Sequence, residues 1–208
     1  MRAKLNDPED LELKLIEDVN EEGYRQFLLR KAEQESWPKK DLKYNLKKGF
    51  TSKGYLSNEA KNKIANSRAV VQKYFDSIGI LSLSDKEDDS VLWERYGDNK
   101  KGVCIVFEME ASEYLIQVRY RTPRPQLSLS RLLLSVDAER ELMEVLRTKT
   151  TKWKAESEWR YFVKNGNTEL SFLGKIVAIR NGKKMSNKNR QAVAQWVTSS
   201  GQDIRIVD

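Results

Sequence analysis

The hydrophobic period of this chain changes at Gly79, and that change limits the possible folds more than any other feature. Before it, apolar residues recur at helical spacing. Between Glu21 and Glu35, Tyr24, Phe27, Leu28 and Ala32 lie three or four residues apart on one face, and Trp37-Pro38 ends the run. Ser57-Asn58-Glu59 opens a longer helix with Ala60, Ile64, Val71, Tyr74 and Phe75 along one side, closing near Gly79. Asp7-Pro8-Glu9-Asp10 also reads as a helix start, with Asp at the cap and Pro at the first helical position. After Gly79 short strands take over. Ile78 to Ser84 is one, and Val103 to Phe107, apolar at every position, is another, predicted to be buried on both faces. Ile116, Val118 and Tyr120 alternate with polar residues, and further strands are predicted at Trp159–Val163, Leu170–Leu173, Lys175–Ile179 and Ile204–Val207. Three helices interrupt them: a short one capped by Asp88 or Asp89, one capped by Asp137, and one opened by Ser186. The order predicts an α+β protein, with a mixed or antiparallel central sheet behind a mostly helical N-terminal third. At 208 residues a single domain is expected, helical and basic over 1–77 and sheet-containing over 78–208.

Composition then removes several kinds of chemistry. The chain has no histidine and one cysteine, Cys104. Ser-His-Asp and Cys-His nucleophile activation, an imidazole base, and histidine-containing zinc sites are therefore excluded. No intramolecular disulfide is possible, and Cys104, mid-strand among apolar residues, reads as an inert core thiol. No Walker loop, Gly-x-Gly-x-x-Gly or Ca²⁺-loop spacing occurs, so no metal is predicted. Apolar runs are far shorter than the ~20 residues of a membrane span, and a cytoplasmic location is expected. The net charge of +7 is concentrated. Ten basic residues between Lys39 and Lys73 face only Asp41 and Glu59, leaving +8, which accounts for the whole excess. With Tyr44, Phe50 and Tyr55 interleaved, Lys43, Lys47, Lys48 and Lys53 are candidates to hold a nucleic-acid backbone. The same pattern is also that of ordinary solvated helix surface.

Three clusters carry the remaining chemistry. They are Leu5-Asn6-Asp7-Pro8-Glu9-Asp10, then Ile80-Leu81-Ser82-Leu83-Ser84 with Val91-Leu92-Trp93-Glu94-Arg95-Tyr96-Gly97-Asp98 and Gly102-Val103, then Trp153-Lys154-Ala155-Glu156-Ser157-Glu158-Trp159-Arg160-Tyr161. In this order the set resembles a family of prokaryotic proteins known as domain of unknown function 2971. A late Gly174-Lys175-Ile176 strand leading to the helix around Trp196 fits the same pattern. Family members begin with a further strand and helix ahead of Asn-Asp-Pro, which makes this chain a short or truncated member by expectation.

Glu156 and Glu158 stand two apart, directly before a strand. If Glu158 begins that strand, the two carboxylates share a face with Ser157 opposite. Such a pair suits chemistry in which one acid orients and the other polarises. The Glu-x-Glu also resembles that of arginine-type ADP-ribosyltransferases. That resemblance implies NAD as cofactor, Glu158 holding a ribose hydroxyl and stabilising an oxocarbenium ion, and Glu156 orienting the acceptor. It further implies a cofactor side made by Ser82, Ser84, Tyr96 and Trp93, with Asn6 and Asp7 in support. The Arg or His that holds the NAD phosphates in those enzymes would lie in the missing N-terminal segment. The function so implied is a bacterial or phage effector, in phage defence or a toxin system, acting on nucleic acid or on a protein target and partnered by an antitoxin. NAD glycohydrolysis and nucleic-acid backbone cleavage are lesser enzymatic alternatives. The other class open to the sequence is a non-catalytic binding or regulatory module using the 39–73 surface. On that reading, Glu156 and Glu158 form an exposed charge ladder with Arg160, Lys154 or Arg95, Trp93 and Tyr96 are core, and Asn6-Asp7 is a helix cap.

Overall fold

A computed structural model of the chain describes residues 13–134, 138–166 and 174–208. In chain order the elements are β1 (Leu15–Ile16), α1 (Glu21–Gln34), α2 (Lys39–Gly49), α3 (Asn58–Ser77), β2 (Gly79–Ser84), α4 (Ser90–Arg95), β3 (Val103–Met109), β4 (Leu115–Gln117), β5 (Arg119–Tyr120) and β6 (Leu127–Ser128). There follow α5 (Leu129–Leu134), α6 (Ala138–Leu146), β7 (Thr148–Lys149), a 3-10 helix (Thr151–Glu156), β8 (Glu158–Val163), β9 (Gly174–Asn181), α7 (Asn187–Ser200) and β10 (Arg205–Val207). The class is α+β, with a mostly helical first third. The predicted strand at Leu170–Leu173, the cap Asp137 and the Leu5–Asp10 cluster lie outside the described residues.

The chain divides into two compact units, one of residues 1–78 with 121–150, the other of residues 79–120 with 151–208. The helical unit is organised by its caps. Asn20 accepts from Gly23 N–H at the start of α1, and Ser57 accepts from Ala60 N–H at the start of α3. Each satisfies an amide that the first turn would leave orphaned. Tyr24, Leu28 and Ala60 form a core lined by Val19, Phe27, Leu46, Phe50, Leu56 and Ile64. Residues 121–150 pack within this unit, whereas the order of elements predicts that they join the sheet-containing part. The reason is long-range: β6 pairs in parallel with β1, and Asp18 accepts from Ser128 Oγ at 2.6 Å and Ser130 N–H at 2.9 Å. Burial opposes the charge at Asp18, but these bonds outweigh it and hold the carboxyl below its ordinary range.

The second unit holds two three-stranded sheets. One runs β2-β8-β4 and is antiparallel throughout; the other runs β10-β9-β3, with β10 parallel and β3 antiparallel to β9. Helix α7 makes the crossover that the parallel pair requires, capped by Ser186 at one end and by Gly201, with φ +64°, at the other. One expectation fails here. Val103–Phe107 is not covered on both faces: Val103 and Ile105, which share one face, remain 40% and 41% exposed, and among the described residues β3 pairs with β9 alone. Cys104 is half-buried, and desolvation raises its thiol above the ordinary value. Among the described residues no helix is long and apolar enough to cross a membrane.

Candidate functional site

The site is built on the central strand of the β2-β8-β4 sheet. Strand pairing sets Ser84 opposite Glu158 and Ser82 opposite Arg160, so these four side chains share one face. Ser82 Oγ donates to Glu158 Oε1 at 2.8 Å, and Arg160 Nε donates to the same oxygen at 2.7 Å. The backbone N–H of Glu158 is in turn held by the hydroxyl of Tyr120 at 2.7 Å. Glu158 is 4% exposed and Arg160 only 1%.

The second carboxylate arrives from the 3-10 helix. Glu156, also 4% exposed, accepts from Tyr96 Oη at 2.8 Å and from Arg95 Nη1 at 3.2 Å, both at the end of α4. Ser84 Oγ donates to the backbone carbonyl of Glu156 at 2.7 Å. Arg95 also lies 4.8 Å from the centre of the Trp153 ring. Lys86 Nζ donates to the carbonyl of Ala155 at 2.9 Å, which adds a second cation beside the carboxylates. Between the two acids Ser157 takes φ +46°, a left-handed conformation that a residue with a Cβ adopts only at a cost. Strain of this kind collects where the surrounding structure needs a backbone to turn sharply.

The structure therefore brings Ser82, Ser84, Tyr96, Glu156 and Glu158 into one hydrogen-bonded group. Trp93 is not in it. That ring is buried, its Nε1 donates to the Glu87 carbonyl at 3.1 Å, and it lines a pocket with Asp88 and Arg180. Asn6 and Asp7 lie outside the described residues. Two details of the expected Glu-x-Glu are corrected. The acids do not lie side by side on one strand, because the turn at Ser157 puts Glu156 in the 3-10 helix. Nor do they form an exposed ladder, since each is buried against its own arginine. Arg160 was legible as a neighbour, because residues two apart on a strand share a face. Tyr120 carried no signal, being 38 residues from the amide it holds.

Chemically, the group offers two desolvated carboxylates fixed by hydrogen bonds, with exposed hydroxyls at Ser82, Ser84 and Tyr96 and cations at Lys86 and Arg95. Among the described residues no three acidic or cysteine side chains lie close enough together to hold a metal ion. The four lysines named for nucleic acid, Lys43, Lys47, Lys48 and Lys53, are all exposed in the helical unit, with Tyr44 and Tyr55 exposed beside them. In the comparisons with known proteins, residues 92–161 match the family model described as "Protein of unknown function (DUF2971)". No curated protein and no solved structure matches the chain.

Proposed function

We propose that the protein is a nucleotide-using enzyme of ADP-ribosyl-transfer type, with its centre at Glu156 and Glu158, both within the residues 92–161 that match the DUF2971 family model. The observation that carries the reading is the convergence of Ser82 and Ser84, from β2, and Tyr96, from the end of α4, on two buried glutamates 60 to 76 residues further along the chain.

The residues present fit a dinucleotide. Exposed hydroxyls ring two carboxylates that could accept from a ribose, and Lys86 and Arg95, each 41% exposed, supply cations for phosphate oxygens. NAD, when bound, would supply an activated glycosidic bond. Glu158 presents a fixed negative charge, kept in place by Arg160 and Ser82, where a neighbouring positive charge would be stabilised without reorganisation. Glu156 is positioned by Tyr96 and Arg95 to orient an acceptor. The acceptor on this reading is a group on nucleic acid or on a protein.

Tyr96→Phe is the direct test. It deletes the hydroxyl that holds Glu156, while the exposed ring stays, so the melting temperature should hardly move. NAD turnover by the purified protein should fall about tenfold, consistent with a positioning bond of ~1.4 kcal/mol. NAD binding, followed by calorimetry, should weaken in Arg95→Ala. Turnover and binding unchanged in both variants would end this reading.

A second reading is favoured by a separate observation, the exposed lysine face of α2 with Tyr44 and Tyr55 beside it. On it the helical unit holds a single-stranded nucleic acid through its backbone phosphates, with bases stacked on the tyrosines. This needs no catalysis.

A further inference from the structure

Among the described residues β3, seven residues long, is the longest strand with a single strand neighbour. The alternation of an antiparallel pair shows what its other side carries. Gly182 N–H donates to Gly102 O and Lys184 N–H to Lys100 O, each at 2.9 Å, so Gly102, Cys104 and Val106 direct their backbone groups at β9. Val103 and Ile105 therefore turn their N–H and C=O away from it. The side chains of these same two residues share a face and are 40% and 41% exposed.

Proteins that remain single protect such an edge with a short strand, a lysine, a proline or a bulge. Between Val103 and Phe107 β3 has no charge and no proline. The irregularity in its pairing puts the extra residue, Val177, on β9 and leaves β3 continuous.

The charges at the two ends of the strand select what pairs with it. Lys100 and Lys101 precede β3, while Glu108 and Glu110 close it. Lys101, Glu108 and Glu110 are all exposed. A strand with a basic beginning, an apolar middle and an acidic end is complementary to itself when reversed. Laid parallel, two such strands would set lysine on lysine and glutamate on glutamate, which is repulsive.

We propose that β3 pairs antiparallel with β3 of a second copy of this chain, about a two-fold axis at Ile105. In that register Ile105 meets its own counterpart, Val103 meets Phe107, and the lysine end of each strand meets the Glu108–Glu110 end of the other. The β10-β9-β3 sheets of the two copies then form one continuous sheet. A contact made of one strand pair is small, so association is expected at about 10–100 µM. The assignment does not depend on the reading of Glu156 and Glu158.

Sedimentation equilibrium of the full chain, from about 5 to about 500 µM, reads monomer and dimer directly. The wild type is expected to dimerise reversibly. Ile105→Lys, at a position 41% exposed, should leave the circular dichroism unchanged and weaken association at least about tenfold, because like charges then face each other on the axis. Charge reversal tests the identity of the partner. Lys100→Glu with Lys101→Glu makes both ends acidic, and Glu108→Lys with Glu110→Lys makes both ends basic. Neither double variant should associate with itself, while their equimolar mixture should form the dimer. A wild type that stays monomeric at about 500 µM would overturn the assignment and leave the edge to a strand from another protein. Dimers that survive Ile105→Lys would place the contact elsewhere and overturn it too. So would charge variants that each self-associate like the wild type, or a mixture of folded variants that does not associate. Should a charge variant fail to fold, Ile105→Lys decides the matter.

Discussion

At the scale of single residues, the pair Glu158 and Arg160 carries the largest consequence. The two charges lie 2.7 Å apart, and both side chains are almost wholly removed from water. Such a pair adds little net stability, but losing one partner strands the other, which costs about 3–5 kcal/mol. Glu158→Gln is therefore expected to destabilise the fold by roughly 3 kcal/mol, even though it preserves size and hydrogen bonding. Replacing both, as Glu158→Leu with Arg160→Met, should recover most of that loss. Denaturant unfolding of the wild type and these two variants measures it, and a loss under ~0.5 kcal/mol in Glu158→Gln would mean that water reaches the pair. The sequence placed the two residues on one strand face through their spacing. It did not disclose their burial, because alternating charges read as a solvent-facing edge, whereas β8 is the middle strand of its sheet. Any loss of activity in Glu158→Gln has to be weighed against this stability change, which is why Tyr96→Phe is the cleaner probe.

At the scale of elements, Ser57 joins two helices. Its Oγ accepts from Ala60 N–H at 3.1 Å to cap α3 and donates to the Lys48 carbonyl near the end of α2 at 2.6 Å. Ser57→Ala removes the cap and leaves the last turn of α2 without that donor. A loss of about 1–2 kcal/mol is expected in chemical denaturation, and a change below ~0.3 kcal/mol would show that the cap contributes nothing. The cap of α3 was readable from Ser57-Asn58-Glu59, as was the stop of α1 at Trp37-Pro38. Helix α2 was not. Only Leu42 and Leu46 mark its inner face, and ten of the residues over Lys39–Lys73 are basic, so the segment reads first as a charge stripe. The apolar run of β3 misled in the opposite sense, because composition alone does not show whether another layer covers each face of a strand.

At the scale of the whole molecule, the charge is unevenly placed, with the +8 of residues 39–73 lying within the helical unit. If α2 and the turn after it hold single-stranded nucleic acid, affinity should fall steeply with salt as condensed counterions are released. Replacing Lys43, Lys47, Lys48 and Lys53 with Glu should flatten the log–log slope by on the order of 3, taking about 0.7 per phosphate contact on a single strand. Fluorescence anisotropy with a labelled oligothymidine at several ionic strengths reads this directly. Absence of binding by the wild-type chain at low salt would leave the lysines as solvated surface. NAD turnover is a separate readout, so the two proposed functions can fail independently.

What the chain determined by itself is local: where helices start and stop, where the period changes, and which chemistries a protein without histidine cannot perform. Capping, periodicity and side-chain inventory act over a few residues, and so can be read in order along the chain. What only the tertiary structure decided depends on strand pairing across long separations. The antiparallel register of β2 with β8 carries Ser82 across 76 residues to Glu158, and parallel pairing of β1 with β6 draws residues 121–150 into the helical unit. That a glutamate on β8 meets a serine on β2 follows from the first of those pairings. No period in the sequence encodes a partner that distant.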